Sequence, residues 1–348
     1  MLLENTDIHV PIYQRLYNHY REAIFTQQYS PGSRIDSIHE LMQKHGVSRE
    51  TAKLVLKKLA GEGLILQKAG KGSFVLNRSP QKAAWGVVVP FFSAQIDGLL
   101  AALADEAVRA KRTVESFVSY NNWQEEIRLV GTLIHRKYEA VLVVPTFDET
   151  KTAHFYRTIQ SFGSLLMLLN HTMAGSSFTY VIQSVDLGVK RGMQYLLEKS
   201  PPAVAFVKNQ GGAGRNLIQE FMEATFKNCV ESASLPIKAF TVNRLQNLNA
   251  QWLRRKGVGG IFCCDDLDAV GVLGRLRGWG IRIPEDISVI SYGNTDLARY
   301  FTPKITSVNS HYEDMARIAA GIIARHARGE STRNEQHVIL PTLIVRDT

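Results

Sequence analysis

At Gly46, Val47 and Ser48 the sequence ends one helix and begins another within three residues, a corner that few folds accommodate. Upstream, "DSIHELMQKHG" begins with Ser37 and carries Glu40 three positions on. In that reciprocal arrangement each side chain satisfies the other's free backbone amide at a helix start. Gly46 can take the left-handed conformation that closes a helix, because it has no Cβ to collide with the backbone. Ser48 can accept from the free amides of the next first turn. The second helix, Arg49 to about Ala60, puts Ala52, Val55, Leu56 and Leu59 on one stripe and Arg49, Lys53 and Lys57 on another. Alone, the basic stripe is an ordinary solvated face. Joined to a short first helix through a tight corner, it has the geometry of a helix-turn-helix, whose second helix enters a DNA major groove.

The flanks extend this unit. Downstream, "GLILQKAGKGSFVL" sets two short β-favouring runs around Lys68, Ala69, Gly70, Lys71 and Gly72. A hairpin with a basic, glycine-rich tip in that place is a wing, suited to phosphates or the minor groove. Upstream, "PIYQRLYNHYREAIFTQQYSPGSRI" opens with Pro11 at a first-turn position and runs to Ser30, Pro31 and Gly32. It predicts a helix of about four turns with Ile12, Leu16, Ala23 and Ile24 on its buried face. Tyr13, Tyr17 and Tyr20 suit core and rim packing better than a base-stacking platform.

With these features together, residues 10–76 resemble the winged-helix domain of the GntR family of bacterial transcription regulators. The resemblance implies double-stranded operator DNA as partner, met by Arg34, His39, Ser48, Arg49, Glu50, Thr51 and Lys53, and at the wing by Lys68, Gly70, Lys71 and Gly72. It departs in "IDSIHE", where the family usually has a Pro-Ser-Glu-Arg-Glu run. Here Ile38 and His39 replace the acidic and basic pair, so the operator is expected to differ from the family's commonest one.

A chain of 348 residues is too long for that unit alone. Hydrophobic residues at 45% and charged residues at 21% describe an ordinary globular protein, and the formal charge of +9 favours a polyanionic partner. The basic residues are spread over both parts, so charge supports DNA binding without establishing it. Cys229, Cys263 and Cys264 are sparse, and the pair lies in the apolar run "GIFCCDD". Buried structural thiols are expected there rather than a metal site, which needs partners at ligand spacing. The N-terminus lacks a basic stretch followed by an apolar one, and no apolar run is long enough to span a bilayer, so a cytoplasmic location is expected.

"NRSPQKAA", residues 77–84, reads as a linker between a domain at 1–76 and another at 85–348. From Trp85 the texture changes. "WGVVVP", "TVESFVSY", "EAVLVVP", "SLLMLLN", "TYVIQ", "AVAFVK", "IKAFTV", "GGIFCC" and "ISVISY" read as strands. Helix patterns fill 96–111, 122–137, 151–162, 186–199, 215–228, 246–256 and 267–279. Near-continuous apolar strands alternating with helices predict parallel sheets covered on both faces. So long a stretch predicts two α/β lobes, with ligand held beyond the carboxyl ends of the strands.

The second part is similar to the effector domain of the LacI–GalR family, a two-lobe α/β fold of the periplasmic-binding-protein type I class. The resemblance is clearest in "IPEDISVISYGN" followed by "LARYFTPKITSV", and "VVVPFF", "EAVLVVP" and "VILPTLIVRDT" extend it over 85–348. A GntR-type reader on a LacI-type sensor resembles the build of arabinose-operon repressors. The resemblance implies a small sugar effector, a homodimer reading a near-palindrome, and no cofactor.

By the same resemblance Asp265 and Asp266 stand at the family's Asn-Asp pair, with helix capping by Asp266 a compatible role and satisfying the amides of the next helix start the rival to a sugar contact for Asp265. Phe91, Phe92 and Trp123 could stack on sugar faces or pack the hinge. His171, Arg215, Asn294 and Ser310 complete the candidate effector residues, at positions where the family pattern is eroded. The acidic residue expected after "SVISY" is Gly293. Few charged groups with several aromatics point towards a pentose or deoxyhexose such as arabinose or fucose. No Ser-His-Asp set, Walker loop or HExxH motif appears, so an enzyme is not expected. A pyridoxal-phosphate aminotransferase-like domain, carried by some GntR-type readers, needs more chain than 85–348 supplies, and no lysine has a Schiff-base context.

Overall fold

The computed structural model describes residues 11–25, 28–30, 32–61, 64–68, 70–75, 82–146, 152–153, 155–157, 165–171, 177–208, 216–233 and 236–348. The corner forms from its local signals. Ser37 Oγ accepts from the Glu40 amide at 3.3 Å, and the Glu40 carboxylate accepts from the Ser37 amide at 2.6 Å. These bonds start α2 (Ile38–His45), which Gly46 ends at φ 63° with its amide on Met42 O. Ser48 Oγ accepts from the Thr51 amide at 3.2 Å and opens α3 (Arg49–Gly61). α1 (Ile12–Phe25) packs Leu16, Tyr17, Tyr20 and Ile24 against Leu41, Val55, Leu56 and Leu59.

Ile12, expected on the buried face, is 42% exposed. The tyrosines take the burial instead, because their hydroxyls find an acceptor. Tyr20 and Tyr29 both donate to Asp36 Oδ2, which also receives Lys44 Nζ at 3.0 Å. β1 (Ile65–Lys68) and β2 (Gly72–Val75) pair antiparallel from Ile65↔Val75 to Lys68↔Gly72, with Gly70 and Gly72 at positive φ in the turn.

Among the described residues, the remainder holds two six-stranded sheets. The first has the order β13-β7-β6-β5-β3-β4 and is parallel throughout. Its strands are β3 (Lys82–Val89), β4 (Thr113–Val118), β5 (Tyr138–Val143), β6 (Leu165–Asn170), β7 (Thr179–Gln183) and β13 (Gln336–Ile339). The second has the order β14-β12-β11-β10-β8-β9. It comprises β8 (Ala203–Val207), β9 (Lys238–Val242), β10 (Val258–Cys263), β11 (Ser288–Gly293), β12 (Thr306–Asn309) and β14 (Thr342–Ile344). Residues 82–84 of the stretch read as linker already belong to β3, pairing Lys82 with Tyr138 and Ala84 with Thr113.

The chain passes between the lobes three times. After β7 the helix Val185–Glu198 packs on strands of the second lobe. After β12 the helix Tyr312–Ala327 returns to the first lobe, joining the core of Leu99, Leu103, Leu142 and Met167. Leu340 and Pro341 then lead from β13 to β14, which pairs antiparallel with β12. This edge departs from the all-parallel expectation, since β14 enters the second lobe directly from β13 of the first and not through a helix of its own lobe. The helix Tyr312–Ala327 also lies beyond the last helix expected from pattern, at 267–279.

Phe155, in the first lobe, packs against both that lobe's core and the core of the first unit, and the Arg21 guanidinium on α1 stands 5.7 Å from its ring centre. Cys263 and Cys264 are buried, as expected, and all three thiols are free. Among the described residues no helix is long and apolar enough to cross a membrane.

Candidate DNA interface and effector cleft

The buried stripe of α3 (Ala52, Val55, Leu56, Leu59) leaves Arg49, Lys53 and Lys57 exposed on the helix. Lys53 Nζ meets Glu50 Oε1 at 3.0 Å, both well exposed. Such a surface pair contributes at most about 1 kcal/mol, so a phosphate or base edge can replace it. Ser48 and Thr51 share a hydroxyl contact of 2.9 Å at the helix start, and His39 is exposed in the first turn of α2. Arg34 forms an isolated bridge with Phe74, and its Nε lies 3.1 Å from where a Cβ on Gly72 would sit. Lys68 Nζ stands 5.4 Å from the Phe74 ring centre, and Lys71 is exposed at the tip. Thus Arg34, Lys68, Gly70, Lys71 and Gly72 gather at one end of the hairpin, while Ser48 caps α3 and Arg49, Glu50, Thr51 and Lys53 lie in its first two turns.

Lys71→Ala is expected to weaken binding to all DNA sequences and lower the slope of log K against log salt by about one. Lys53→Ala is expected to cost about 1–3 kcal/mol on the preferred site only, if the lysine reads a base edge. Titrations on specific and scrambled duplexes at several salt concentrations separate the two.

In the α/β part, the carboxyl ends of the strands carry the polar groups. Asp265 follows β10 and caps the helix Asp266–Gly278, accepting from the Asp268 amide at 2.7 Å. Capping therefore falls to Asp265, the rival reading of that residue, and not to Asp266. Burial, with the nearby Asp268 charge, holds the Asp265 carboxyl above the usual carboxylate range. Asp266 is sequestered. Its carboxylate accepts from the Ser291 hydroxyl, from Ser307 Oγ at 2.8 Å, and from the amide and hydroxyl of Thr295 at 2.6 and 2.7 Å.

Asn294, at φ 54°, accepts from the Arg346 guanidinium, which turns its amide into the second lobe. Ser310 is fully buried beside the Tyr312 phenol. The His171 ring is buried against the Pro145 backbone, and burial lowers its pKa to about 4, so it is neutral at physiological pH. Phe91 is half-buried, Phe92 is exposed, and Trp123 opens the helix Trp123–His135. Arg215 lies outside the described residues.

Two contacts that sequence pattern does not flag tie the lobes together, and a third, within the first lobe, braces one of them. Gln95 Nε2, in the first turn of the helix Ala94–Arg109, donates to Tyr292 O at 2.9 Å. Tyr292 Oη donates to Gln183 Oε1 at 3.0 Å, and Gln183 Nε2 donates to Asn170 Oδ1 at 2.7 Å. The two cross-lobe partners lie 197 and 109 residues apart along the chain, so no local signal announces them.

Cys264, Asp265 and Asp268 bring their ligand atoms within 4.8 Å of one another. All three groups are committed, since Asp265 caps the helix and Cys264 Sγ donates to Asp268 at 3.1 Å. Burial pushes both buried thiols well up, and a protonated thiol is a poor metal ligand.

Glu126, one turn into the helix Trp123–His135, is fully buried. It accepts from the Thr146 amide at 2.6 Å and from the Tyr156 hydroxyl. Desolvation outweighs these bonds and raises its pKa to about 7. A carboxyl whose folded pKa lies above its unfolded value binds more protons folded than unfolded between the two. Stability is therefore expected to fall as pH rises from about 4.5 to 7, by at most roughly 3 kcal/mol from this group. Urea midpoints are expected to fall across that range in the parent and to change less in Glu126→Gln.

Comparison with known proteins agrees with this geometry. Residues 12–75 match the family of bacterial regulatory proteins, gntR family, and residues 193–348 match the periplasmic binding protein-like domain. The chain is 24% identical over 345 residues to an arabinose metabolism transcriptional repressor of Halalkalibacterium halodurans, covering 91% of this chain and 90% of that one. Over 88 residues it is 38% identical to the HTH-type transcriptional repressor PurR of Vibrio vulnificus, covering 25% of this chain and 26% of the relative.

In structure it is similar to a periplasmic binding protein/LacI transcriptional regulator from Alkaliphilus metalliredigens complexed with D-xylulofuranose. The TM-score is 0.63 at 15% identity, over 77% of this chain and 99% of that one. A dimeric Lac repressor superposes with TM-score 0.65 at 14% identity, over 76% of this chain and 98% of that one. The fold is thus a gntR-type winged helix joined to a two-lobe periplasmic-binding-protein-like domain. The relatives so named are transcriptional regulators and not enzymes.

Proposed function

We propose that this chain, a gntR-family reader joined to a periplasmic-binding-protein-like sensor, is a transcriptional repressor of carbohydrate use whose grip on its operator is set by a small neutral sugar. The observation that carries the reading is the union of an exposed basic helix and wing with two lobes whose strand ends meet across Gln95, Gln183 and Tyr292. A pentose or deoxyhexose, with arabinose foremost, suits the whole-length relative's role in arabinose metabolism. Two copies would place their winged helices on the half-sites of a near-palindrome, and a sugar that favours one arrangement of the lobes would change the spacing of the readers. The setting proposed is the cytoplasm, where operator and sugar meet.

A thermal-shift screen against monosaccharides tests the reading. A ligand at 100 times its dissociation constant adds about 2.7 kcal/mol to the folded state. L-Arabinose or D-fucose is expected to raise the melting temperature, while phosphorylated sugars leave it unmoved. A shift with an amino acid or nucleobase and none with any sugar would replace the sugar by that metabolite.

A further inference from the structure

The LacI–GalR resemblance places an acidic residue directly after "SVISY", and this chain has Gly293 there. A side chain is disfavoured at that position for two reasons. Its φ of 132° is one that L residues rarely adopt. A Cβ would also stand 3.1 Å from Gln95 Nε2 and 3.2 Å from Asp266 Oδ2. The space is filled instead from the opposite lobe, by the Gln95 amide, which donates to Tyr292 O at 2.9 Å.

Tyr292 is held at its far end as well. Its hydroxyl is bound by Gln183, and its ring lies so close to Gly188 that a Cβ there would come within 2.7 Å. The residue therefore spans the lobes with one deeply packed end and one accessible end. The less buried end is met by Gln95, which is half-buried in the first turn of the helix Ala94–Arg109, shortly after Phe91 and Phe92 in sequence.

We infer that Gln95 is a cross-lobe latch and an effector-specificity residue, supplying from the first lobe the polar group that Gly293 cannot supply from the second. A carboxamide both donates and accepts and carries no charge. It matches paired hydroxyls of a neutral polyol and gives a cationic ligand no counter-charge. The ligand class rests on the sugar reading above, whereas the latch rests on the geometry alone.

The test uses the full chain with Gln95→Ala and Gln95→Glu, read in two ways. Hydrogen exchange without sugar, followed in peptides covering 93–99 and 288–296, is expected to speed up several-fold in both variants. In Gln95→Glu a carboxylate would face the Tyr292 carbonyl, to which it has no hydrogen to donate. Calorimetric titration with L-arabinose, D-fucose and D-xylose is expected to show a loss of tenfold or more for whichever sugar the parent binds. Exchange in Gln95→Ala matching the parent overturns the latch, and matching sugar affinity overturns the specificity role. A parent that binds none of the three sugars overturns the specificity role together with the sugar reading, and exchange then decides the latch independently.

Discussion

Asp266→Ala is expected to lower the stability of the second lobe by about 4 kcal/mol, the largest effect of any polar substitution considered. The carboxylate is 1% exposed and is the common acceptor for Ser291 on β11, Ser307 on β12 and both donors of Thr295. It therefore fastens the helix Asp266–Gly278 to two strands and to the start of the helix Asp296–Tyr300. Alanine leaves those donors buried without an acceptor, and each such group costs about 1–3 kcal/mol. Asparagine is expected to recover only part of the loss. Its oxygen can still serve the two serines, but its amide presents hydrogens to the donors of Thr295. Urea unfolding followed at constant slope measures both variants. A loss below about 1 kcal/mol for alanine would mean that the four bonds do not act as a unit.

Asp265→Ala is expected to weaken effector binding by ten- to a hundred-fold or more while leaving operator affinity without sugar nearly intact. The residue sits where β10 ends, on the edge of the sheet where α/β lobes present ligand groups. A carboxylate accepting sugar hydroxyls forms charge-assisted bonds of about 1.5–3 kcal/mol each. The same side chain caps a helix, and losing a cap costs about 1 kcal/mol of stability. Asp265→Asn separates the roles, because asparagine caps well but carries no charge. Burial raises the carboxyl's pKa, so protonation reaches it at higher pH than for a free aspartate. Parent affinity is therefore expected to weaken as the solution is made mildly acidic, and the Asn variant to lose that dependence. Calorimetry at neutral and mildly acidic pH measures both. An alanine variant that binds sugar as the parent does would leave Asp265 with the cap alone.

The first unit was legible because its signals are local. Ser37, Glu40, Gly46 and Ser48 each act within a few residues, and the structure returns every one of those contacts. The alternation of apolar strands likewise announced parallel sheets, since period and run length are properties of neighbouring residues. What escaped was non-local. The return of the helix Tyr312–Ala327 to the first lobe is a matter of topology, although its stripe of Tyr312, Met315, Ala319 and Ile322 has helical spacing. Which of two adjacent aspartates caps a helix depends on one residue of register, and here the neighbour was sequestered by Ser291 and Ser307. Glu126 reads as an ordinary first-turn acid, yet it is buried by Tyr156 and Thr146. Gln95 carries no pattern, since its partner is a backbone carbonyl 197 residues away.

The most direct measurement is operator affinity with and without the effector. A duplex selected by the full chain from random DNA would be titrated by fluorescence anisotropy, alone and with saturating L-arabinose or whichever sugar raises the melting temperature. The expected result is preference for a near-palindromic sequence and a sugar-dependent loss of affinity of about 5–150-fold, the range of ordinary allosteric coupling. A sugar that stabilises the chain yet leaves operator affinity unchanged, or a chain with no sequence preference at any salt concentration, would contradict the account.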